Sequence, residues 1–385
     1  MKRPGVHKIA ELAKVSIGTV DRALHGRPGV SEATRKKVLR IAKRLAYTPH
    51  PVARILSVGT ATLRIGVCIP EEIHFFYDQM RAGIFDEARR ANGLGVEIVY
   101  HPVPALGHGE REHVAKLLAR DVSAVIVTPG DPKSATPVIN RAEEQGVRVV
   151  CITTDAPQSR RSSAVCVDPE LNGRLAAELM GKFVPAGSEV AVITGMVTTE
   201  EHRLKAEGFC AGFKQDCARG RIVVVLEAHE SPDESYRKTC GLLVRYPNLS
   251  GIYVSTVNCL PVCRALNHYK RAGKVQLITT DLFPEMVPYL QRGTIRASIY
   301  QDPYLQGQLA VRMLIDHLLN GIALPPANYL NPGVVLRTNV HLFREVGRRF
   351  LEEKTKPLPR LGASEGRLLK SLRVSEFPIP GKVHR

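Results

Sequence analysis

Six polar or aromatic clusters each follow a short apolar, β-branched run: Phe75-Phe76-Tyr77, Asp155, His202 to Lys205, Asn258, Asp281 and Gln301-Asp302. Carboxylates and amides suit hydroxyl groups and flat rings suit C–H surface, which together is the chemistry of polyol recognition. Singly, each has a plainer use. Asp155 precedes Ala-Pro and could be a turn residue, Asn258 and Asp281 could cap helices, and Phe75 or Phe76 could be core. Their coincidence at the ends of apolar runs points to one cleft, because ligands in parallel α/β folds sit beyond the carboxyl ends of strands. Catalytic signatures do not accompany it. The chain has no Gly-x-Ser-x-Gly elbow, Walker loop or metal-spaced His/Cys cluster, and Gly93-Leu-Gly95 precedes a strand, with Ile at position 98, so the dinucleotide fingerprint fails. Neither an enzyme nor a cofactor nor a metal is expected.

Arg22 could do a different chemistry near the N-terminus. A guanidinium can bond a guanine edge at two points, a contact that discriminates by about 1 to 3 kcal/mol. Residues 1 to 60 hold 13 Lys/Arg against 3 Asp/Glu and residues 341 to 385 hold 11 against 5, so the excess of +17 sits at the two ends and the long middle is nearly neutral. Charge of this kind favours a polyanion. Around Arg22 the pattern predicts three short helices. Ile9, Leu12 and Ala13 share a face of the first. Ser16 is placed to cap a second, Ile17 to about Leu24, with Val20, Ala23 and Leu24 inward. Gly26-Arg27-Pro28-Gly29 is a turn by composition, and Ser31 caps a third helix whose stripe is Val38, Ile41, Ala42 and Leu45. This is the order in which a helix-turn-helix module places one helix in the major groove.

From Leu63 onward, β-branched runs alternate with helical stretches. Strands are predicted at Arg64 to Ile69, Val96 to Tyr100, Ala124 to Thr128, Arg148 to Ile152, Glu189 to Thr194, Ile222 to Leu226, Gly251 to Val254, Val275 to Thr279 and Ile295 to Tyr300. Near-continuous apolar strands between helices imply parallel sheets covered on both faces, and the length implies two similar α/β lobes. Met1 to Leu12 lacks the apolar run of a signal peptide and no stretch approaches a membrane span, so no membrane role is expected. Eight cysteines form no C-x-x-C pair and read as buried thiols of a reducing cytoplasm.

The run from His7 through Gly59 resembles the DNA-binding head and hinge of the lactose-repressor (LacI) family. The residues that carry it are Ile9-Ala10-Glu11-Leu12-Ala13, Val15-Ser16, Thr19-Val20, Arg22, Gly29-Val30-Ser31, Thr34-Arg35, Val38, Leu45, Tyr47, Pro49, Val52-Ala53 and Leu56. The resemblance implies that Ile17, Gly18 and Arg22 face base edges while Ser16 and Thr19 hold phosphates. It also implies a hinge helix at Val52, Ala53 and Leu56 that orders on operator DNA, its leucine wedged into the minor groove. Two departures stand out: Lys14 occupies a turn position usually Gly, and Asp21 stands where a small hydroxyl residue is common.

Leu63 to about Arg337 resembles the type I periplasmic sugar-binding fold, nearest its ribose-binding-like branch. The resemblance places Phe76 and Tyr77 at the stacking aromatics and Asp155, Asn258, Asp281 and Gln301 at sugar-hydroxyl ligands. Lys205 falls where Arg is frequent, and His202 is an additional candidate. The division expected is 1 to 47 helix-turn-helix domain, 48 to 60 hinge, 61 to 340 two-lobed core and 341 to 385 basic tail. Everything points to a cytoplasmic transcription regulator, a repressor, that binds operator DNA and answers to a sugar-like effector. A homodimer is expected, because one small head makes too few contacts for genomic discrimination. The competing reading is a sugar-binding protein of transport type, which the head argues against.

Overall fold

A computed structural model describes residues 6 to 24, 29 to 45, 62 to 217 and 219 to 343. At the N-terminus, α1 (Val6–Ala13), α2 (Ile17–Leu24) and α3 (Glu32–Arg44) enclose Ile9, Ala10, Ala13, Val20, Ala23, Val38, Ile41 and Ala42. The predicted stripes are the buried ones, with Leu12, Leu24 and Leu45 half-buried at the margin. Both predicted caps form: Ser16 Oγ accepts from the Thr19 N–H at 3.1 Å and Ser31 Oγ from the Thr34 N–H at 3.3 Å. Lys14 sits at φ 55° in the turn between α1 and α2, the left-handed conformation that a glycine would adopt more cheaply.

The rest of the described chain forms two parallel sheets, each flanked by helices. The first sheet is built from β1 (Leu63–Cys68), β2 (Val96–Tyr100), β3 (Ala124–Val127), β4 (Arg148–Ile152), β5 (Ser163–Val167) and a short β11 (Asn328–Leu330). The second holds β6 (Glu189–Thr194), β7 (Arg221–Glu227), β8 (Leu249–Val254), β9 (Gln276–Thr280), β10 (Ile295–Tyr300) and β12 (Gly333–Val335). Their orders are 2-1-3-4-5-11 and 7-6-8-9-10-12, the same winding twice, with only β12 antiparallel to its neighbour. All nine predicted strands are present within two residues at either end. β5, β11 and β12 were not expected: a connection of ten residues with no helix separates β5 from β4, and β11 and β12 are three residues each. Among the described residues no helix is long and apolar enough to cross a membrane.

Three connections cross between the lobes: at Asp168, at Gln301-Asp302, and between β11 and β12. The first two share a sequence. Asp168-Pro-Glu-Leu-Asn-Gly173 opens α7 (Pro169–Phe183), and Asp302-Pro-Tyr-Leu-Gln-Gly307 opens α12 (Pro303–Asn320). Each Asp caps its helix by accepting from the Leu N–H at 3.0 Å, and each Pro takes a first-turn position that needs no donor. Each Gly permits a helix crossing at backbone contact. A Cβ on Gly307 would lie 2.3 Å from the Met80 carbonyl oxygen in α4 (His74–Arg90), and one on Gly173 would lie 2.1 Å from that of Lys205 in α8 (Glu200–Asp216). The crossings return the favour at Gly83 against Tyr304 and Gly208 against Glu170, so the two helix pairs are copies of one packing solution.

Candidate functional site

The cleft lies between the carboxyl ends of the two sheets. Ile73, Phe76, Tyr77, Leu106, Thr153 and Thr154 line it from the first lobe, and Thr199, Glu201, His202, Lys205, Glu230, Ser255, Thr256, Val257 and Asp281 from the second, with Gln301 on the crossover. Four of these residues, Ile73, Thr153, Glu230 and Asp281, hold φ between 54° and 72° without being glycine. Such backbone costs about 1 to 3 kcal/mol each and persists where surrounding structure enforces it, characteristically at functional sites. The space enclosed is about 30 Å3, room for about two waters, so a hexose enters only when the lobes part.

Four contacts bridge the lobes around this space. Thr199 Oγ1 donates to the Gly130 carbonyl at 2.6 Å, the Glu201 N–H donates to Thr154 Oγ1 at 3.2 Å, and the Tyr300 hydroxyl donates to Gln79 Oε1 at 3.2 Å. Phe75, at the mouth, stacks on Phe283 with ring centroids 4.3 Å apart. This is a closed arrangement.

Six of the eight predicted effector residues meet here: Phe76, Tyr77, His202, Lys205, Asp281 and Gln301. Gln301 Nε2 donates to both Asp281 oxygens at 3.0 and 3.3 Å, which aims the carboxylate. Burial pushes the Asp281 carboxyl up to about 7, against the opposing pull of Lys205 and the Gln301 bond. Asn258 reaches the cleft indirectly, donating from Nδ2 to Glu230 Oε2 at 3.1 Å. Asp155 is a correction: its carboxylate is forked by Arg161 and bonded by the Ala156 N–H, and it does not line the cavity. Arg161, six residues on, bonds both oxygens of the Asp155 carboxylate.

Two acids were not anticipated. Glu201 pairs with Lys205, one turn along α8, and with both side chains at most 6% exposed this is a buried ion pair. Glu230 lies three residues past the end of β7, as Asp281 lies directly past the end of β9, so the strand-end rule extended beyond Glu227 would have found it. Burial raises the Glu230 carboxyl to about 8, with repulsion from Glu201 and Glu72 adding to it. His202 Nδ1 accepts from the Met196 N–H at 3.0 Å, which leaves the proton on Nε2, 3.6 Å from an oxygen of Glu201 and 3.6 Å from one of Glu230. Burial lowers its basicity further, so the imidazole is neutral.

In the head, Ile17, Gly18 and Arg22 are exposed, and a Cβ on Gly18 would meet only Ser16 Oγ, at 3.9 Å. Ser16 Oγ and Thr19 Oγ1 lie 2.9 Å apart at the start of α2. One open surface of α2 therefore carries hydroxyls at its N-terminus and a guanidinium one turn later. Val52, Ala53 and Leu56 lie outside the described residues, as do the Asp21 side chain and positions 344 to 385.

Two sequence families match the chain. Residues 6 to 50 match the model of bacterial regulatory proteins of the lacI family, and residues 65 to 322 match a periplasmic binding protein domain. The chain is a LacI-family transcription regulator. Catabolite control protein A of Priestia megaterium is 26% identical over 323 residues, covering 81% of the regulator and 92% of the relative. The ribose operon repressor of Halalkalibacterium halodurans is 27% identical over 325 residues, 81% and 90% of the two chains. Among solved structures, a glucose-galactose binding protein from Geobacillus stearothermophilus superposes with a TM-score of 0.66 at 27% identity, covering 73% of the regulator and 99% of that chain. A solute-binding protein from Burkholderia graminis in complex with D-arabinose gives 0.68 at 26% identity, with coverage of 73% and 97%. These structures share the core and leave the regulator's head over.

Proposed function

We propose that this regulator is a cytoplasmic homodimeric repressor whose head reads an operator half-site and whose cleft takes a polyhydroxylated effector. The observation that carries it is the convergence of Phe76, Tyr77, Lys205, Asp281 and Gln301 on one closing cleft in a chain that also presents an exposed recognition helix. In this reading Arg22 contacts a base edge, Ile17 offers apolar contact to a thymine methyl, Gly18 lets the backbone approach, and Ser16 and Thr19 bond phosphate. Val52, Ala53 and Leu56 supply the hinge contact in the minor groove.

Two substitutions separate the halves of the proposal. Arg22→Ala should relax base preference at one position per half-site by about 1 to 3 kcal/mol, read by binding to a randomised operator set. Equal loss on specific and random DNA would reduce Arg22 to a phosphate contact. Asp281→Ala should abolish release or capture of DNA by effector while operator affinity stays within a few fold, because the lost carboxylate strands buried hydroxyls at about 1 to 3 kcal/mol each. An unchanged effector response from that variant would misplace the pocket.

A further inference from the structure

The cleft lining is rich in acids and poor in cations. Glu201, Glu230 and Asp281 face it, and Lys205 is the one ammonium among the described lining residues. Lys205 Nζ is already taken by Glu201 and lies 3.5 Å from the Ser255 carbonyl. His202 cannot supply the missing cation, since protonating Nδ1 would break its bond from the Met196 N–H. Asn258 and Gln301 bring only neutral amide donors, to Glu230 Oε2 and to Asp281. What remains is Glu230 Oε1: its side chain is 6% exposed, it lines the cavity, and it has no hydrogen-bond partner among the described residues. With no partner at Oε1 the carboxyl keeps its proton, burial holding it up to about 8, and a cation seated against Oε1 would take that proton's place while the proton leaves to solvent.

We infer that the effector carries a protonated amine on its polyol frame, as an amino sugar or aminocyclitol does, and that the ammonium seats against Glu230 Oε1. An ammonium there would donate to Glu230 while its neighbouring hydroxyls bond Asp281 and Gln301. Glu201 and Asp281 add long-range attraction, and Lys205 disfavours a second positive group. The same field repels a carboxylated or phosphorylated sugar. The inference rests on the reading of the cleft as the effector site.

Calorimetric titration of the full chain with matched compounds tests it: D-glucosamine against D-glucose and N-acetyl-D-glucosamine, D-galactosamine against D-galactose, an amino-inositol against myo-inositol, and D-glucuronate as the anion. At least one amine should bind about tenfold or more tighter than its hydroxyl and acetylated counterparts. Glu230→Gln, which keeps the shape and the Asn258 contact, should cut that preference to about twofold or less, leaving neutral compounds within a few fold. Glu201→Gln is the second variant and should lower the same ratio if Glu230→Gln does not fold. Neutral sugars that match or exceed their amines in every pair, tight D-glucuronate binding, or a preference unchanged in the folded variant overturns the inference, with the polyol cleft standing in each case. Failure of every compound to bind overturns both.

Discussion

Glu230 concentrates the cost of this site in one side chain, and pH should reveal it. Its carboxyl titrates near 4.5 in the unfolded chain and near 8 when folded, and Asp281 moves in the same direction, to about 7. Between those values the folded protein holds protons that the unfolded one has released, so stability falls as pH rises from about 4.5 to 8. The groups facing Glu230 are Glu201, Glu72, Asp281, Lys205 and the His202 imidazole, and the acids outnumber the bases. Glu230→Gln should therefore flatten the decline of melting temperature across that window in the ligand-free protein; an equally steep decline in the variant would place the titrating group elsewhere. Most of the cleft was legible because strand ends are where α/β folds bind ligands, a rule that found Phe76, Tyr77, His202, Lys205, Asp281 and Gln301. Glu201 escaped it because an acid in a helix's first turn has an ordinary explanation in the helix dipole. Asp155 was misassigned because sequence position puts it at a strand end but does not say that Arg161 folds back to claim it.

At the scale of elements, the repeated Asp-Pro-x-Leu-amide-Gly segment is the most economical device in the core. It caps a helix, starts it without an idle donor and sets a glycine where a second helix must cross. The repeat lies in plain view at 168 to 173 and 302 to 307, yet its meaning needs the fold, since only the structure shows that both segments change lobes. Strand periodicity was readable in the nine longer strands that helices separate, and failed at β5, where no helix intervenes, and at β11 and β12, which are only three residues each. In the head, the turn at Lys14 was readable from its departure from glycine, and its φ of 55° bears that out. The α7 crossing also has a consequence for the site. The Lys205 carbonyl rests on Gly173, so the backbone carrying the cleft's ammonium is placed by that contact. Gly173→Ala would force a methyl to within 2.1 Å of the Lys205 carbonyl oxygen, and overpacking of this kind costs about 1 to 3 kcal/mol. The variant should melt lower and bind effector more weakly, because α8 must shift and take Lys205 and Glu201 with it. Gly241→Ala, on α9 (Pro232–Arg245) with nothing within 4 Å, is the control: it should leave effector affinity unchanged and raise rather than lower the melting temperature, since alanine is the better helix former by about 1 kcal/mol. Unaltered effector affinity in a destabilised Gly173→Ala protein would show that the crossing serves the fold alone.

For the whole molecule, closure of the two lobes is the property on which the proposed effector response would act. The lobes are held together by Thr199 on Gly130, Glu201 on Thr154, Tyr300 on Gln79 and the Phe75 stack on Phe283. Three crossovers permit the lobes to rotate while the sheets stay intact, as in other hinge closures around ligands. A ligand that binds the closed form better shifts the population toward it, and its apparent affinity falls by the fraction of molecules that are open. Phe75 is 40% exposed, at the rim and outside the polar lining, so removing its ring weakens closure and spares the groups that bond the effector. An aromatic pair contributes about 0.5 to 1.5 kcal/mol beyond its buried area. Phe75→Ala should therefore weaken effector binding by about two- to tenfold and enlarge the ligand-free radius of gyration in small-angle scattering. Phe85, 37% exposed, packs on Tyr100 within one lobe, and Phe85→Ala should leave both measurements unchanged. If the ring works through closure, saturating effector should restore the wild-type radius in Phe75→Ala, because ligand binding supplies the free energy the stack no longer does. A radius that stays enlarged at saturation would mean that Phe75 shapes the lobe itself, and the coupling of cleft to head would then have to run through the three polar bridges.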